Sequence, residues 1–266
     1  MKIAVCFFGI TRNLREHTLA SIKEHLFAAV AHYDPGFKRF AHFNRVRQLS
    51  NARSGETGLE VAADEARLLE CHAMAETDQD RLDVQTDYQA FETFGDAWQD
   101  KFGSLRNLLR QLHSLAQVTE LLRGSGECFD LVIYTRADLR FERKVDLPHL
   151  RPRTLYTPWF GKGGGLNDRF ALGDLPTMVL YGQRGALARQ YCQETGKPLH
   201  AERLLGWCAR KYHLRQADLT TIRFSRVRAN GTVPAPDLIV KYRLKYRVRR
   251  AWNRWKNAAL GQGVRE

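Results

Sequence analysis

The chain is 266 residues long, 44% hydrophobic and 27% charged, with a formal net charge of +13. This is the composition of a folded globular protein, and no run approaches the roughly 18 apolar residues of a membrane-crossing helix. The five cysteines (Cys6, Cys71, Cys128, Cys192, Cys208) are widely spaced with no C-x-x-C pair, which argues against a disulfide framework or zinc site and for reduced, buried thiols in a cytoplasmic protein.

The charge is segregated. Residues 60–100 hold twelve acidic and two basic side chains, so the rest of the chain carries +23. Residues 241–256 hold eight basic side chains and no acid. Such a chain favours anionic partners: a phosphorylated ligand, an anionic membrane face or nucleic acid.

In chain order, KIAVCFFG reads as a buried parallel strand, not a signal peptide, because Gly9-Ile10-Thr11-Arg12 follows where a small-residue cleavage site would be needed. A helix is predicted over Thr11–Ala31, from Leu14, Leu19, Ile22, Leu26 and Val30. Its first turn, Gly9 to Asn13, offers backbone N–H groups and Arg12 to an anion, although a plain tight turn would look the same. FKRFAHFNRV predicts a second strand. The acidic stretch is predicted helical at Val61–Leu69 and looped beyond. Ser104–Arg123 is the clearest helix, with a leucine stripe and Ser104 as its expected N-cap. FDLVIYTRADLRF follows, a buried strand that delivers Arg136 and Asp138 to its C-terminal edge.

Further on, Thr154–Thr157 and Leu166–Leu172 read as strands, with Gly161-Lys162-Gly163-Gly164-Gly165 between them. Helices are predicted at Leu175–Cys192 and Ala201–His213, and a strand at Asp218–Val227. This alternation implies an α/β domain with a mostly parallel sheet covered on both faces. The glycine run is not a Walker A loop, because its lysine precedes the glycines and no Ser or Thr follows. It is either a mobile connector or a close approach of backbone to ligand. No G-x-G-x-x-G, G-x-S-x-G or H-E-x-x-H motif is present. Asp168 is a candidate general base and Glu202 a second; an Asp–Arg pair and a helix-dipole carboxylate are their plainer readings.

The tail IVKYRLKYRVRRAWNRWKNAAL predicts an amphipathic helix with Val240, Leu244, Val248, Trp252 and Trp255 along one face. Basic flanks with tryptophans describe an interfacial helix on anionic lipid, and place Arg247, Arg250, Trp252 and Trp255 at the membrane. Docking on the protein body and nucleic acid are the other readings. No helix-turn-helix, zinc-finger or RNP signature supports a non-enzymatic nucleic-acid-binding protein.

Taken in order, VCFFGITRNL, FAHFN, NARSGE, SLRNLLRQLHSL, FDLVIYTRADLRF, GGLNDRFALGD and HAERLLGWCARKYHL resemble the bacterial glycosyltransferases of surface-polysaccharide and lipopolysaccharide biosynthesis, over roughly residues 1–215. The resemblance implies a GT-A-like catalytic domain over 1–238, with 41–103 as an acidic insertion and 239–266 as the basic tail. It implies a nucleoside-diphosphate sugar donor, a glycan or lipid-linked acceptor, and a place on the cytoplasmic membrane face. Gly9, Thr11 and Arg12 then lie by the nucleotide, and Asp138 by the diphosphate with a divalent cation, Mn2+ or Mg2+. The family motif is Asp-x-Asp, and Arg136 stands at its first position. Either Asp138 holds the cation with phosphate oxygens, or arginines from among Arg12, Arg106, Arg110, Arg136 and Arg169 neutralise the diphosphate without metal. Asn167 and Asp168 belong at the sugar and acceptor side, with Asp168 the first candidate base and Glu202 the second.

Overall fold

The computed structural model describes residues 1–51, 55–62 and 64–234. The expected tail helix, with Arg247, Arg250, Trp252 and Trp255, lies outside the described residues. A seven-stranded sheet organises the rest. In chain order its strands are β1 (Ile3–Gly9), β2 (Lys38–Arg45), β5 (Ala73–Asp78), β6 (Leu131–Arg136), β8 (Thr154–Pro158), β9 (Phe170–Gly173) and β10 (Arg215–Leu219), arranged β10-β8-β9-β6-β1-β2-β5. All neighbours pair in parallel except β9, which runs antiparallel to both β6 and β8. Two short ribbons stand apart: β3 (Gln48–Asn51) with β4 (Glu56–Glu60), and β7 (Leu139–Phe141) with β11 (Phe224–Arg226). The expected α/β class with a mostly parallel sheet between helices is what the protein has.

β1 sits near the middle because both of its faces are apolar. Ile3, Val5 and Phe7 pack under the helical segment 14–31, while Ala4, Cys6 and Phe8 meet Leu115, Val118 and Leu122. That two-residue alternation is the pleat of a strand covered on both sides. The second layer belongs to the long helix α2 (Gly103–Gly124), preceded by α1 (Gln79–Gln85). Asp78 caps α1, accepting from the N–H groups of Asp80 and Arg81. After β9 come α3 (Leu175–Gly182), a 3-10 turn Gln183–Leu187, α4 (Ala188–Thr195) and α5 (Ala201–Lys211).

Several expectations need correction. The single helix over Thr11–Ala31 is broken. Arg12 and Asn13 are left-handed, helix begins at Leu14, Thr18 interrupts it, and Ile22–Phe27 is a π-helix. Thr18 leaves helical geometry (φ −130°), its hydroxyl donating to Ala137 O at 2.8 Å. Ser104 does not cap α2. Phe102 holds the cap position, and Asp100 accepts from both Ser104 N (3.1 Å) and Ser104 Oγ (2.6 Å). The acidic stretch is not helix and loop. Within Val61–Leu69 only Glu65–Leu69 is helical, as a 3-10 turn, and beyond it come an edge strand of the main sheet, Ala73–Asp78, and further helix at Gln79–Gln85 and Gln89–Glu92. Asp218–Val227 is two strands in two different sheets, β10 and β11. Leu166–Leu172 is strand only from Phe170. Cys6, Cys192 and Cys208 are buried thiols as expected, but Cys128 is exposed. No described helix is long and apolar enough to cross a membrane.

Candidate functional site

The C-terminal ends of β6, β1 and β2 lie side by side, and a cleft of about 540 Å3 opens beyond them. α2 forms one wall. Its polar face, Ser104, Asn107 and Gln111, lines the cleft opposite the leucine stripe. The opposite wall comes from Gly161, Gly163 and the start of α5. Six guanidiniums reach the cleft: Arg12, Arg110, Arg136, Arg169, Arg226 and Arg228.

At the β1 end, the anion site expected on the first helical turn is already filled. Leu14 N donates to Glu65 Oε2 at 2.6 Å and Arg15 N to Glu65 Oε1 at 3.1 Å. Arg12 Nη1 donates to both carboxylate oxygens of the fully buried Glu56, at 3.0 and 2.7 Å, and Arg12 Nε lies 3.5 Å from Asp138 Oδ2. Glu56 also accepts from Ala229 N at 3.0 Å and has Arg228 Nη1 at 3.7 Å. Gly9 lines the cleft with φ 106°, a conformation that favours glycine, and its N–H donates to Ser114 Oγ at 2.8 Å. Thr11 is buried and does not line the cleft.

Asp138 is held by Arg136 through both carboxylate oxygens, with Arg136 Nε to Oδ1 at 2.9 Å and Arg136 Nη2 to Oδ2. Burial pushes its carboxyl up, but Arg136, Arg12 and Arg226 outweigh burial and hold it below the usual range. These residues do not fit a divalent cation. Both Asp138 oxygens are spanned by a guanidinium, and Glu56, its nearest companion in this network, is wrapped by Arg12, Arg228 and a backbone N–H. Among the described residues no cluster of three His, Cys, Asp or Glu side chains stands ready for a metal. The donor set therefore favours the arginine alternative over Asp138 as a metal ligand. Arg228 is pulled down to about 10, chiefly by burial and then by Arg12 and Arg226, against the pull of Glu56 and Asp138.

Gln111 links the two halves of the cleft. Its Oε1 accepts from Arg136 Nη1 at 3.0 Å and its Nε2 donates to Asp168 Oδ2 at 2.9 Å. Asp168 is 4% exposed. Burial raises its carboxyl, yet Arg169, Arg184, Arg136 and the Gln111 hydrogen bond bring it below the usual value, so it stays ionised. Arg184 is fully buried in the 3-10 turn, 4.2 Å from the Tyr181 ring centroid, and its Nε and Nη2 find no hydrogen-bond partner among the described residues. Tyr181 OH donates to the Asp168 carbonyl at 2.9 Å, tying that turn to the site.

Glu202 lies in the first turn of α5, as the helix-dipole reading expects, and also faces the cleft. Arg169 Nη2 is 3.2 Å from its Oε1, and His200 Nδ1 3.2 Å from its Oε2. Burial and the charge of Asp168 raise Glu202 to about 7, against the pull of Arg169. Two neighbouring carboxylates whose proton affinities are driven apart are the arrangement that acid–base chemistry uses.

Within the glycine run, Gly165 makes a close approach to the backbone at the start of α5. A Cβ on Gly165 would fall 1.8 Å from the Glu202 carbonyl oxygen, and Leu166 N donates to that same oxygen at 3.0 Å. Other expected site residues serve structure. Asn167, fully buried, donates to Phe160 O and accepts from Arg169 N, each at 2.9 Å, bracing the loop instead of reaching the cleft. Arg110 spends its fork on Asp83, at 2.8 and 2.5 Å, while still lining the cleft. Arg106 lies outside it, against Glu92 and the Tyr88 ring. Glu56, Gln111, Arg184, Arg226 and Arg228 had not been singled out. Gln111 was findable, since Asn107, Gln111 and Ser114 recur at helical spacing opposite the leucines. Comparison with protein-family models and with curated proteins finds no match.

Proposed function

We propose that the protein is a glycosyltransferase of GT-A-like architecture that moves a sugar from a nucleoside-diphosphate donor to a surface-polysaccharide or lipopolysaccharide acceptor. One observation carries the reading: an arginine-rich cleft at the carboxyl edge of parallel strands, where such sheets bind ligands, that also holds the Asp168–Glu202 pair. The diphosphate lies against Arg12, Arg136, Arg226 and Arg228, which neutralise it in place of a cation. A concave cleft suits a small phosphorylated ligand better than a nucleic-acid strand.

In the transfer step an acceptor hydroxyl oxygen bonds to the anomeric carbon as the bond from that carbon to the diphosphate breaks. The electron pair leaves on the β-phosphate oxygen, and the hydroxyl proton passes to the Glu202 carboxylate. Of the two candidate bases Glu202 now ranks first, because an acceptor near 7 matches the working pH of a general base. Asp168, held ionised, stabilises the oxocarbenium-like centre. Configuration inverts.

The test is calorimetry and nucleoside-diphosphate release with a panel of nucleotide sugars, with and without Mn2+. At least one donor binds without metal, and Glu202→Gln lowers kcat by about 100- to 10,000-fold at unchanged donor affinity. Failure of every donor to bind would sink the reading. A cytoplasmic-face, peripheral membrane location is part of the proposal. Deleting residues 239–266 reduces sedimentation with anionic vesicles and spares donor binding; persistence of vesicle binding removes the interfacial role of the tail.

A further inference from the structure

Charge on the folded body is sorted by sheet edge. β5 and β10 are the two edge strands, at opposite ends of the seven-strand order. At the β5 edge, in α1 and in the turn after it, Glu76, Asp80 and Asp87 are exposed, within the stretch 60–100 that holds twelve acidic and two basic side chains. At the other edge α5 leads directly into β10. Between residues 189 and 215 the exposed charges are six basic and one acidic. The inner face of α5, Leu204, Leu205, Cys208 and Ala209, is buried in the core. Its outer stripe is Arg203, Trp207, Arg210 and Lys211, at the i, i+4, i+7, i+8 spacing of one helix face. The three cations are exposed, and Trp207 is half-buried among them. Lys211 Nζ lies 4.7 Å from the Trp207 ring centroid and 3.1 Å from Glu194, the one exposed acid. Past the helix, Arg215 N donates to Arg153 O at 2.9 Å, and Arg153 Nη2 to Tyr212 O at 2.7 Å, so the exposed Arg153 joins the same edge.

We infer that the α5–β10 edge of the folded body is a lipid-facing surface, seated on the headgroups of an anionic membrane. Each cation near such a surface is attracted to it, and tryptophan is a side chain that membrane–water interfaces concentrate. A convex helix stripe fits a plane of headgroups better than a nucleic-acid strand, which a groove would hold. The acidic β5 edge is repelled from the same plane, so the two edges together fix one orientation. The stripe begins at the cleft. Arg203 follows Glu202, and a Cβ on Gly164, the residue after the cleft-lining Gly163, would lie 3.5 Å from Arg203 Nε. On the glycosyltransferase reading, this orientation brings the mouth of the cleft to the headgroups, where the sugar of a lipid-linked acceptor sits. The surface itself does not depend on that reading and is tested without donor or acceptor.

The experiment sediments the full chain with vesicles of phosphatidylcholine containing about one-third phosphatidylglycerol. Arg210→Gln combined with Lys211→Gln lowers partitioning about 30-fold, the loss of two cations at the surface. Arg203→Gln combined with Arg215→Gln, on the same edge, gives a second pair with the same expectation. Arg67→Gln combined with Arg81→Gln removes equal charge from the acidic stretch and changes partitioning by less than about twofold, because that edge stands beyond the reach of the surface potential. All six positions are exposed, and thermal unfolding checks that each variant folds. The tail is intact in every sample, so the comparison reads the folded body. Equal losses from the two edges, or no loss from either, overturn the inference, since net charge or the tail then accounts for the binding. Loss of single-stranded RNA binding in the Arg210 and Lys211 variant, with vesicle binding intact, overturns it in favour of nucleic acid.

Discussion

Replacing Glu202 with glutamine tests the site through stability alone, before any substrate is known. Glutamine is the neutral isostere of the protonated acid and still accepts a hydrogen bond from Arg169. In the folded protein the carboxyl is raised from 4.5 to about 7, chiefly by burial and by Asp168. At about 1.4 kcal/mol per pH unit, that displacement corresponds to about 3 kcal/mol. The folded state holds its proton more tightly than the unfolded state, so Glu202 opposes folding wherever it must ionise. Its contribution is neutral below about pH 4.5, becomes progressively unfavourable from there to about 7, and is constant above. Asp138 and Asp168, held low, lose their stabilising contributions only below the ordinary carboxylate range, outside that window. Urea denaturation of wild type and Glu202→Gln from pH 4 to 8 is the assay. The two proteins unfold alike near pH 4, and the variant gains about 3 kcal/mol over wild type by pH 8. A difference that does not change with pH, or one that shrinks as pH rises, refutes the reasoning.

Gly165→Ala places a Cβ 1.8 Å from the Glu202 carbonyl oxygen, so loop and helix must part; thermal unfolding registers a loss of about 1–3 kcal/mol. Arg12→Ala leaves Glu56 buried without the Nη1 donor that spans its two oxygens and costs about 3–5 kcal/mol, whereas Arg12→Ala combined with Glu56→Gln recovers part of it in the same denaturation assay. Glu65→Ala strips the acceptor from the N–H groups of Leu14 and Arg15. It costs about 1–3 kcal/mol, with hydrogen exchange of the Leu14 amide accelerating more than that of the β1 amides.

What could be read in advance follows from where the physics is local. β1 and β6 announce themselves because a strand covered on both faces must be apolar at every position, as Ile3–Phe8 and Leu131–Tyr134 are. α2 is legible because one helix carries one leucine stripe. β5 is hidden because Ala73–Asp78 lies at a sheet edge with alternate residues exposed, so its sequence keeps no apolar run. The break at Thr18 depends on a carbonyl 119 residues away and leaves no trace nearby. In the site, Asp168 and Glu202 were recognisable as carboxylates, and they do come together. The opposite shifts of their proton affinities were not, since these depend on which charges surround each. Arg136 and Asp138 were found as a pair, but whether the arginine displaces a metal ligand or grips the carboxylate is a matter of side-chain direction. The acidic stretch shows the same limit. It was expected as an insertion, yet Glu65 caps the first helical segment, Asp78 caps α1, Asp83 clamps Arg110 and Asp100 anchors α2.

The Glu56 carboxylate is gripped by Arg12 near the start of the chain and by Ala229 N near its far end, 173 residues later. Synthesis proceeds from the N-terminus, so a nascent chain carries this acid for most of its length without the Ala229 donor. The central strands can pair early, since β1 and β2 are close in sequence, but the cationic end of the cleft closes only after residue 229 has emerged. Assembly of the arginine cluster is thereby tied to completion of the fold: a chain stopped before Ala229 keeps most of the sheet and loses the clasp on Glu56, the partner of Arg12.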